Sequence, residues 1–401
     1  MRILIPIFSP ALRFGISPVL RALCVGNTAR ELGHDVAFCA SGELYRSLKE
    51  RGYKTYEIPG LTALGLPKYI SQGLERHLNL FLMKLVARGH SSINIWLILI
   101  FLGLSRGPIL KRSIRAEMDA VRDFKPDVFF TEMDPAIYFV SEITGLPLAT
   151  TYAKIAHEGI GSFPYKVISR NAEYILHYYG RKSKPLSELV FGQQILKIIP
   201  SIPELDGSRF CGKDFCYTGY LLRETRVFDN SKFEISGGKR YVFAYIKNPL
   251  IHFSRLERVL TQVFTRDKGY TCIAASEDVK KEYKIGEVEF YPYVPALQIV
   301  PHCEWTIGHG GHNAMVVSLL SGVPLLMFPG WHTERRYNAT MLYRLNCGFM
   351  GEPKDLTKEW IESRLPRQKE LAANAMRVGN VMKSYGGPQA AVRALEKLIN
   401  V

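Results

Sequence analysis

The segment Thr306–Ala339, TIGHGGHNAMVVSLLSGVPLLMFPGWHTERRYNA, decides how the chain is read. The strand-like run WTIGHGG meets two adjacent glycines, Gly310 and Gly311, between His309 and His312. A helix is expected to follow at once, over residues 313–321. Then come Gly-Val-Pro, a second strand, PLLMFPG, and a polar cluster after Trp331. Glycines let the backbone approach a ligand closely. The helix N-terminus offers unpaired N–H groups and a positive dipole end, an anion site best suited to phosphate. His309 and Asn313 add side-chain donors. A glycine pair alone marks many turns, but the whole succession is far more specific.

The same strand-then-helix rhythm extends both ways. RILIPIF, HDVAFCAS, PDVFFTE and PLATTYA alternate with helical stretches in the N-terminal half, and YVFAYIK, YTCIAAS and VEFYPYV lead into WTIGHGG in the C-terminal half. This β-α-β pattern predicts α/β architecture with parallel sheets covered on both faces. Residues 61–123, and about 156–197, read as helical, apolar stretches punctuated by basic residues. Proline-rich IPSIPELDG marks a break. The expected organisation is an N-terminal domain at 1–215, a second at 216–383, and a last helix at 384–401 packing back on the first. Each domain is doubly wound and Rossmann-like, the two face a cleft, and ligands bind at the carboxyl ends of strands.

The bulk numbers agree. The chain has 401 residues, 47% of them hydrophobic and 22% charged, which suits two globular domains. The formal charge of +15 raises the local concentration of anions such as acidic headgroups or phosphorylated metabolites. Seven cysteines without a C-x-x-C pair are neither a disulfide framework nor a zinc site, and reduced thiols point to the cytoplasm. The longest apolar run, IWLILIFLGL, is far short of the roughly 20 residues of a spanning helix. Peripheral contact with a membrane stays open. No nucleic-acid motif and no metal cluster is visible.

The segment at 306–339 resembles the donor-binding signature of the UDP-glycosyltransferase superfamily, enzymes of the GT-B fold. FYPYVPALQIVPHCEWTIGHGG is similar to the segment in which an aromatic-x-Pro loop meets the nucleotide base. RILIPIFSP and SPVLRALCVGNTARELGHDVAFCAS resemble the family's first β-α-β unit, and GGPQAAVRALEKLI its closing helix. The resemblance implies transfer of a sugar from a nucleoside diphosphate, UDP or TDP, to an acceptor hydroxyl, with inversion as the family's expectation and no further cofactor. By it, Tyr293 stacks on the base and Val294 holds its edge. His309, Gly310, Gly311 and Asn313 hold the pyrophosphate. Glu334 bonds sugar hydroxyls, Arg335 stands where Gln is common, and Asn338 fixes the loop.

The departures are specific. Ala314 replaces a phosphate-binding Ser or Thr. Val317 replaces the carboxylate that grips the ribose. Gly15, in R-F-G-I-S-P, occupies the position of the family's catalytic histidine, and inverting transfer needs a base within reach of the acceptor hydroxyl. Three groups are candidates for that role: Asp134 and Glu132, which follow the strand PDVFFTE, and His157 in AKIAHEG. Capping of the next helix is the structural alternative for the two carboxylates. Arg13, His312 and Arg336 are further candidates for anion contacts, as are Lys247 and Asn248 at the end of YVFAYIKN. The acceptor is expected on the N-terminal domain, as a hydrophobic or aromatic metabolite or a lipid. Two rivals remain: an auxiliary GT-B protein without transfer activity, and a transferase using another donor such as phosphoribosyl diphosphate.

Overall fold

The computed structural model describes residues 1–7, 17–60, 95–101, 104, 106–132, 134–152, 159–206, 212–223, 235, 238–248, 250–330 and 332–400. The chain divides into two compact units. The first comprises Met1–Pro200, Phe210–Phe228 and Gly386–Val401; the second comprises Ser201–Arg209 and Asp229–Tyr385.

In chain order the first unit holds β1 (Arg2–Pro6), α1 (Ser17–Glu31), β2 (Asp35–Ala40), α2 (Gly42–Glu50), β3 (Lys54–Glu57), α3 (Ile95–Phe101) and α4 (Gly107–Phe124). It continues with β4 (Val128–Thr131), α5 (Ile137–Thr144), β5 (Leu148–Thr151), α6 (Phe163–Tyr178), α7 (Leu186–Phe191) and β6 (Ile195–Ile199). After α8 (Pro203–Asp206), which belongs to the second unit, β7 (Phe215–Tyr217) completes a parallel sheet of order β3-β2-β1-β4-β5-β6-β7. The order reverses beside β1, as in doubly wound folds.

Alternation along the strands builds two cores. Ile3, Ile5, Phe38 and Phe130 face one way with Val19 and Leu23 of α1; Leu4, Cys39 and Phe129 face the other with Ile114 and Phe124 of α4. A parallel sheet covered on both faces needs apolar residues at successive positions, which is why VFFT in β4 is wholly buried. The first of these cores also contains Ala391, Val392 and Leu395 of the last helix, and His34 Nε2 lies 2.8 Å from Glu396 Oε1.

The second unit runs through β8 (Arg240–Tyr245), α9 (Phe253–Val263), β9 (Tyr270–Ala275), β10 (Tyr283–Ile285), β11 (Val288–Tyr291), α10 (Ala296–Ile299) and β12 (Cys303–Gly308). Then follow α11 (His312–Leu320), β13 (Leu325–Met327), α12 (Thr333–Arg344), β14 (Gly348–Met350), α13 (Lys358–Glu362) and α14 (Gln368–Ser384). Its sheet has the order β10-β11-β9-β8-β12-β13-β14, parallel except for the β10–β11 pair. The last helix, α15 (Gly387–Ile399), returns to the first unit.

Three differences from the sequence reading have physical causes. The helix after PLLMFPG, which the sequence suggests around residues 338–345, starts at Thr333, because His332 already has the extended backbone of an N-cap. The stretch expected to be helical to residue 197 ends in a strand, β6. Lys197 interrupts its apolar run, yet the residue is buried: the ammonium donates to Asp214 Oδ2 at 2.7 Å and to the Gly192 carbonyl at 2.5 Å. The helix α14 carries no capping signal and was not foreseen. Among the described residues no helix is long and apolar enough to cross a membrane.

The Lys197–Asp214 pair gives a direct test. Removing one partner of a buried ion pair strands the other charge, so Asp214→Ala, which strands the fully buried ammonium, should cost about 3 kcal/mol, whereas Lys197→Met, which leaves the more exposed Asp214 carboxylate, should cost clearly less. Urea unfolding of both variants checks this. Equal costs would show that Lys197 is solvated rather than dependent on Asp214.

Candidate functional site

In the second unit the strand β12 ends at Gly308, and the chain turns through His309, Gly310 and Gly311 into α11. The turn needs both glycines. Gly310 has φ +76°, and a β-carbon there would lie 2.6 Å from the Arg335 carbonyl oxygen. A β-carbon on Gly311 would lie 2.8 Å from His309 Nε2. Asn338 Nδ2 donates to the Gly310 carbonyl at 2.9 Å, tying the turn to α12. Ser318 Oγ donates to Thr306 Oγ1 at 2.9 Å in the core, tying α11 back to β12. The first turn of α11 therefore sits on a rigid base.

His309 is 7% exposed. Its Nδ1 lies 3.2 Å from the Lys247 N–H nitrogen and 3.3 Å from the Tyr245 carbonyl oxygen. Burial, reinforced by the Arg335 charge, lowers its pKa to about 3. The ring is thus neutral near pH 7; Nδ1 faces both the Lys247 N–H and the Tyr245 carbonyl, and in the tautomer that accepts from Lys247 the Nε2–H is a donor over Gly311. Arg335 Nη1 donates to the Lys247 carbonyl at 2.5 Å. Burial pulls the pKa of Arg335 down, and its guanidinium makes no ion pair among the described residues. A neutral imidazole, a buried cation held by no direct ion pair and a helix N-terminus converge at one turn. That arrangement attracts an anion.

The other sequence candidates in this unit separate clearly. Arg336 is held by Glu352, at 2.8 and 3.0 Å, and by the Gly330 carbonyl. Asn248 is buried between the Phe328 carbonyl and the Leu250 N–H, at 2.9 and 3.0 Å. Lys247 pairs with Glu277 at 2.6 Å. Glu334 opens α12. Tyr293 is 53% exposed in the loop after β11, whereas Val294 beside it is buried. Asn313 lies in the first turn of α11, and Val317 is buried on that helix.

In the first unit, Glu132 and Asp134 follow β4 and both are buried. Arg21 grips Glu132 bidentately, Nε to Oε1 at 2.9 Å and Nη2 to Oε2 at 3.0 Å. Asp134 Oδ1 accepts from Ala136 N–H at 2.8 Å, which caps α5. Glu117, a residue sequence reasoning did not single out, lies beside its carboxyl. Neither Glu117 oxygen has a donor group, and two carboxylates bond only through a proton. Burial, with the charge of Asp134, pushes the pKa of Glu117 far up, so Glu117 holds that proton. The signal was present: Leu110, Ser113, Ile114 and Glu117 form one buried helical stripe of α4, and a carboxyl in such a stripe needs a partner. His157, Arg13 and Gly15 lie outside the described residues.

No family profile matches the chain. Two curated relatives, uncharacterised glycosyltransferases of Methanosarcina mazei and Methanosarcina acetivorans, are 23% and 24% identical to it, with 96% of each chain covered. Among solved structures, the glycosyltransferase of kitacinnamycin superposes with a TM-score of 0.72 at 14% identity, covering 99% of this chain and 98% of that one. The calicheamicin glycosyltransferase CalG4 also gives 0.72, at 16% identity, covering 100% and 98%. VinC, a glycosyltransferase solved with TDP, gives 0.66 at 14% identity, covering 100% of both chains. The two seven-stranded sheets and these superpositions give the chain the GT-B fold of those glycosyltransferases, and its full-length relatives are themselves described as glycosyltransferases.

Proposed function

We propose that the chain transfers a sugar from a nucleoside diphosphate, UDP or TDP, to a hydroxyl of a hydrophobic or aromatic acceptor, a metabolite or a lipid. The carrying observation is the His309–Gly310–Gly311 turn, which brings the α11 N-terminus, neutral His309 and the buried Arg335 cation together. As the sugar–phosphate bond breaks, negative charge grows on the leaving diphosphate. Prepositioned N–H donors and a guanidinium stabilise that charge without rearranging. The TDP complex of VinC, a protein of like fold, supports a thymidine or uridine diphosphate. Tyr293 offers a half-exposed ring for the base. Glu334 and Asn313 are assigned to the sugar hydroxyls and the pyrophosphate.

For the acceptor base, Asp134 is the better of the two described carboxylates, because Arg21 occupies both oxygens of Glu132. Asp134 lies beside a neutral acid, Glu117, and burial raises its own pKa, a direction that strengthens it as a base. Substituting the α5 cap confounds that test with stability, so the donor half is tested first.

Three outcomes are expected. In thermal denaturation with UDP, TDP, GDP, ADP and phosphoribosyl diphosphate, UDP or TDP should raise the melting temperature. At 100 times its dissociation constant a ligand adds about 2.7 kcal/mol. Arg335→Ala should abolish that shift and leave the protein folded. A response to phosphoribosyl diphosphate alone would move the reaction to another donor, and silence throughout would favour an auxiliary protein.

Gly310→Ala should remove nucleotide binding and destabilise by about 1–3 kcal/mol, through backbone strain and the clash with the Arg335 carbonyl. Full binding by this variant would sink the assignment of the turn.

The third concerns pH. His309 has a lowered folded pKa, so its unfolded form takes up protons first on acidification, below its ordinary value of 6.5. Stability through this group is complete above pH 6.5 and falls by about 2 kcal/mol on going to pH 5. In His309→Gln that slope should diminish, as read by urea midpoints at the two pH values.

A further inference from the structure

The positive charge of the chain is unevenly spread. Residues 106–116 and 159–185 contain nine Lys and Arg but a single carboxylate, Glu173, a net +8 out of the +15 of the whole chain. These segments fall mainly on α4 and α6, which pack side by side: a β-carbon on Gly107 would lie 3.2 Å from the Tyr174 ring. Elsewhere arginines and lysines are commonly matched, as in Arg240–Glu304, Lys284–Glu289 and Arg367–Glu370. On the α4/α6 face, Lys111, Arg112, Arg115, Lys166, Arg170 and Lys182 make no ion pair among the described residues, and all but Lys111 are exposed.

Aromatic side chains interleave with these cations. Lys111 Nζ donates to Tyr174 Oη at 3.1 Å and stands 3.4 Å from the centroid of the Tyr178 ring. Arg115 Nη2 donates to Tyr178 Oη at 3.2 Å. Tyr174 and Tyr178 are about half exposed, and Phe163, at the start of α6, is 77% exposed with Ile160 close before it. Phe163, Lys166, Arg170, Tyr174 and Tyr178 follow at spacings of three and four, so they form one solvent-facing stripe of α6.

We propose that this α4/α6 face docks the protein on an anionic bilayer surface, with the lysines and arginines against acidic headgroups and Phe163 and Ile160 entering the headgroup–acyl boundary. Amphipathic helices with basic residues, rings and an apolar end bind interfaces in this manner, and Tyr rings suit the headgroup level. Nucleic acid is the other polyanion that such a charge attracts. It is disfavoured because base stacking needs open ring faces, and Lys111 already covers the Tyr174 and Tyr178 rings, at 4.5 and 3.4 Å. A protruding Phe-Ile pair has no use on a phosphate backbone but gains free energy in lipid. The docking does not depend on the reaction proposed above.

The test is co-sedimentation of the full chain with vesicles of phosphatidylcholine alone, or with about a third phosphatidylserine, which supplies the negative surface that basic side chains bind. Binding should require the anionic lipid and weaken with salt. Each basic residue near such a surface adds about 1 kcal/mol, so Lys166→Glu/Arg170→Glu should lower partitioning on the order of a hundredfold or more. The charge-matched control Lys280→Glu/Lys281→Glu, in the second unit, should lower it far less. Emission of Phe163→Trp should shift to the blue with anionic vesicles. Absence of sedimentation, equal losses for both double variants, or binding of a duplex oligonucleotide in place of vesicles would each overturn the proposal. All five substituted side chains are exposed, so unchanged melting temperatures serve as the folding control.

Discussion

The carbonyl oxygen of Arg335 stands where a β-carbon of residue 310 would be, and the geometry of the candidate donor site depends on that contact. It forces a left-handed glycine after β12 and brings the first turn of α12 against the turn. Asn338 then reaches the Gly310 carbonyl, and the Arg335 side chain extends to the carbonyl of Lys247 beyond β8. The same Lys247 peptide orients His309 through its N–H. One close backbone approach thus couples three segments distant in sequence at the start of α11.

Sequence and structure agree best where backbone chemistry dictates residue type. The glycine turn, the strands on either side and the β-α-β rhythm were all legible, because tight turns demand glycine and doubly covered strands demand continuous apolar residues. What stayed hidden depends on partners far along the chain. Lys197 disguised β6 because Asp214, which neutralises it, is 17 residues on. Arg336 read as an anion contact because nothing local announces Glu352 as its partner. Glu117 had a local signal, a carboxyl in an apolar stripe, but the identity of its neighbour, Asp134, is a property of the folded sheet.

The carboxyls of the first unit show how burial divides similar groups. Burial raises the pKa of Glu132 but the Arg21 guanidinium opposes that rise, whereas burial and the charge of Asp134 push the pKa of Glu117 far up. Desolvation acts on both; the difference lies in whether a cation is within reach. Asp134 stands between these cases, held by backbone N–H groups of α5 beside the neutral acid. A carboxylate so supported is fixed in direction, which suits either a helix cap or a group that must meet a hydroxyl in one orientation.

The path of the chain has a consequence for its synthesis. The second unit is inserted between most of the first unit and the helix α15, whose Ala391, Val392 and Leu395 complete a core started by Ile3 and Ile5. Domains emerge and fold from the N-terminus during translation, at about 5–20 residues per second. The first sheet must therefore wait, one face incompletely covered, while more than 150 residues of the second unit are made. For some ten to thirty seconds the nascent chain carries an apolar seam over α1 and β4 that its last helix later covers, a period in which a chaperone or a neighbouring nascent chain has access to it.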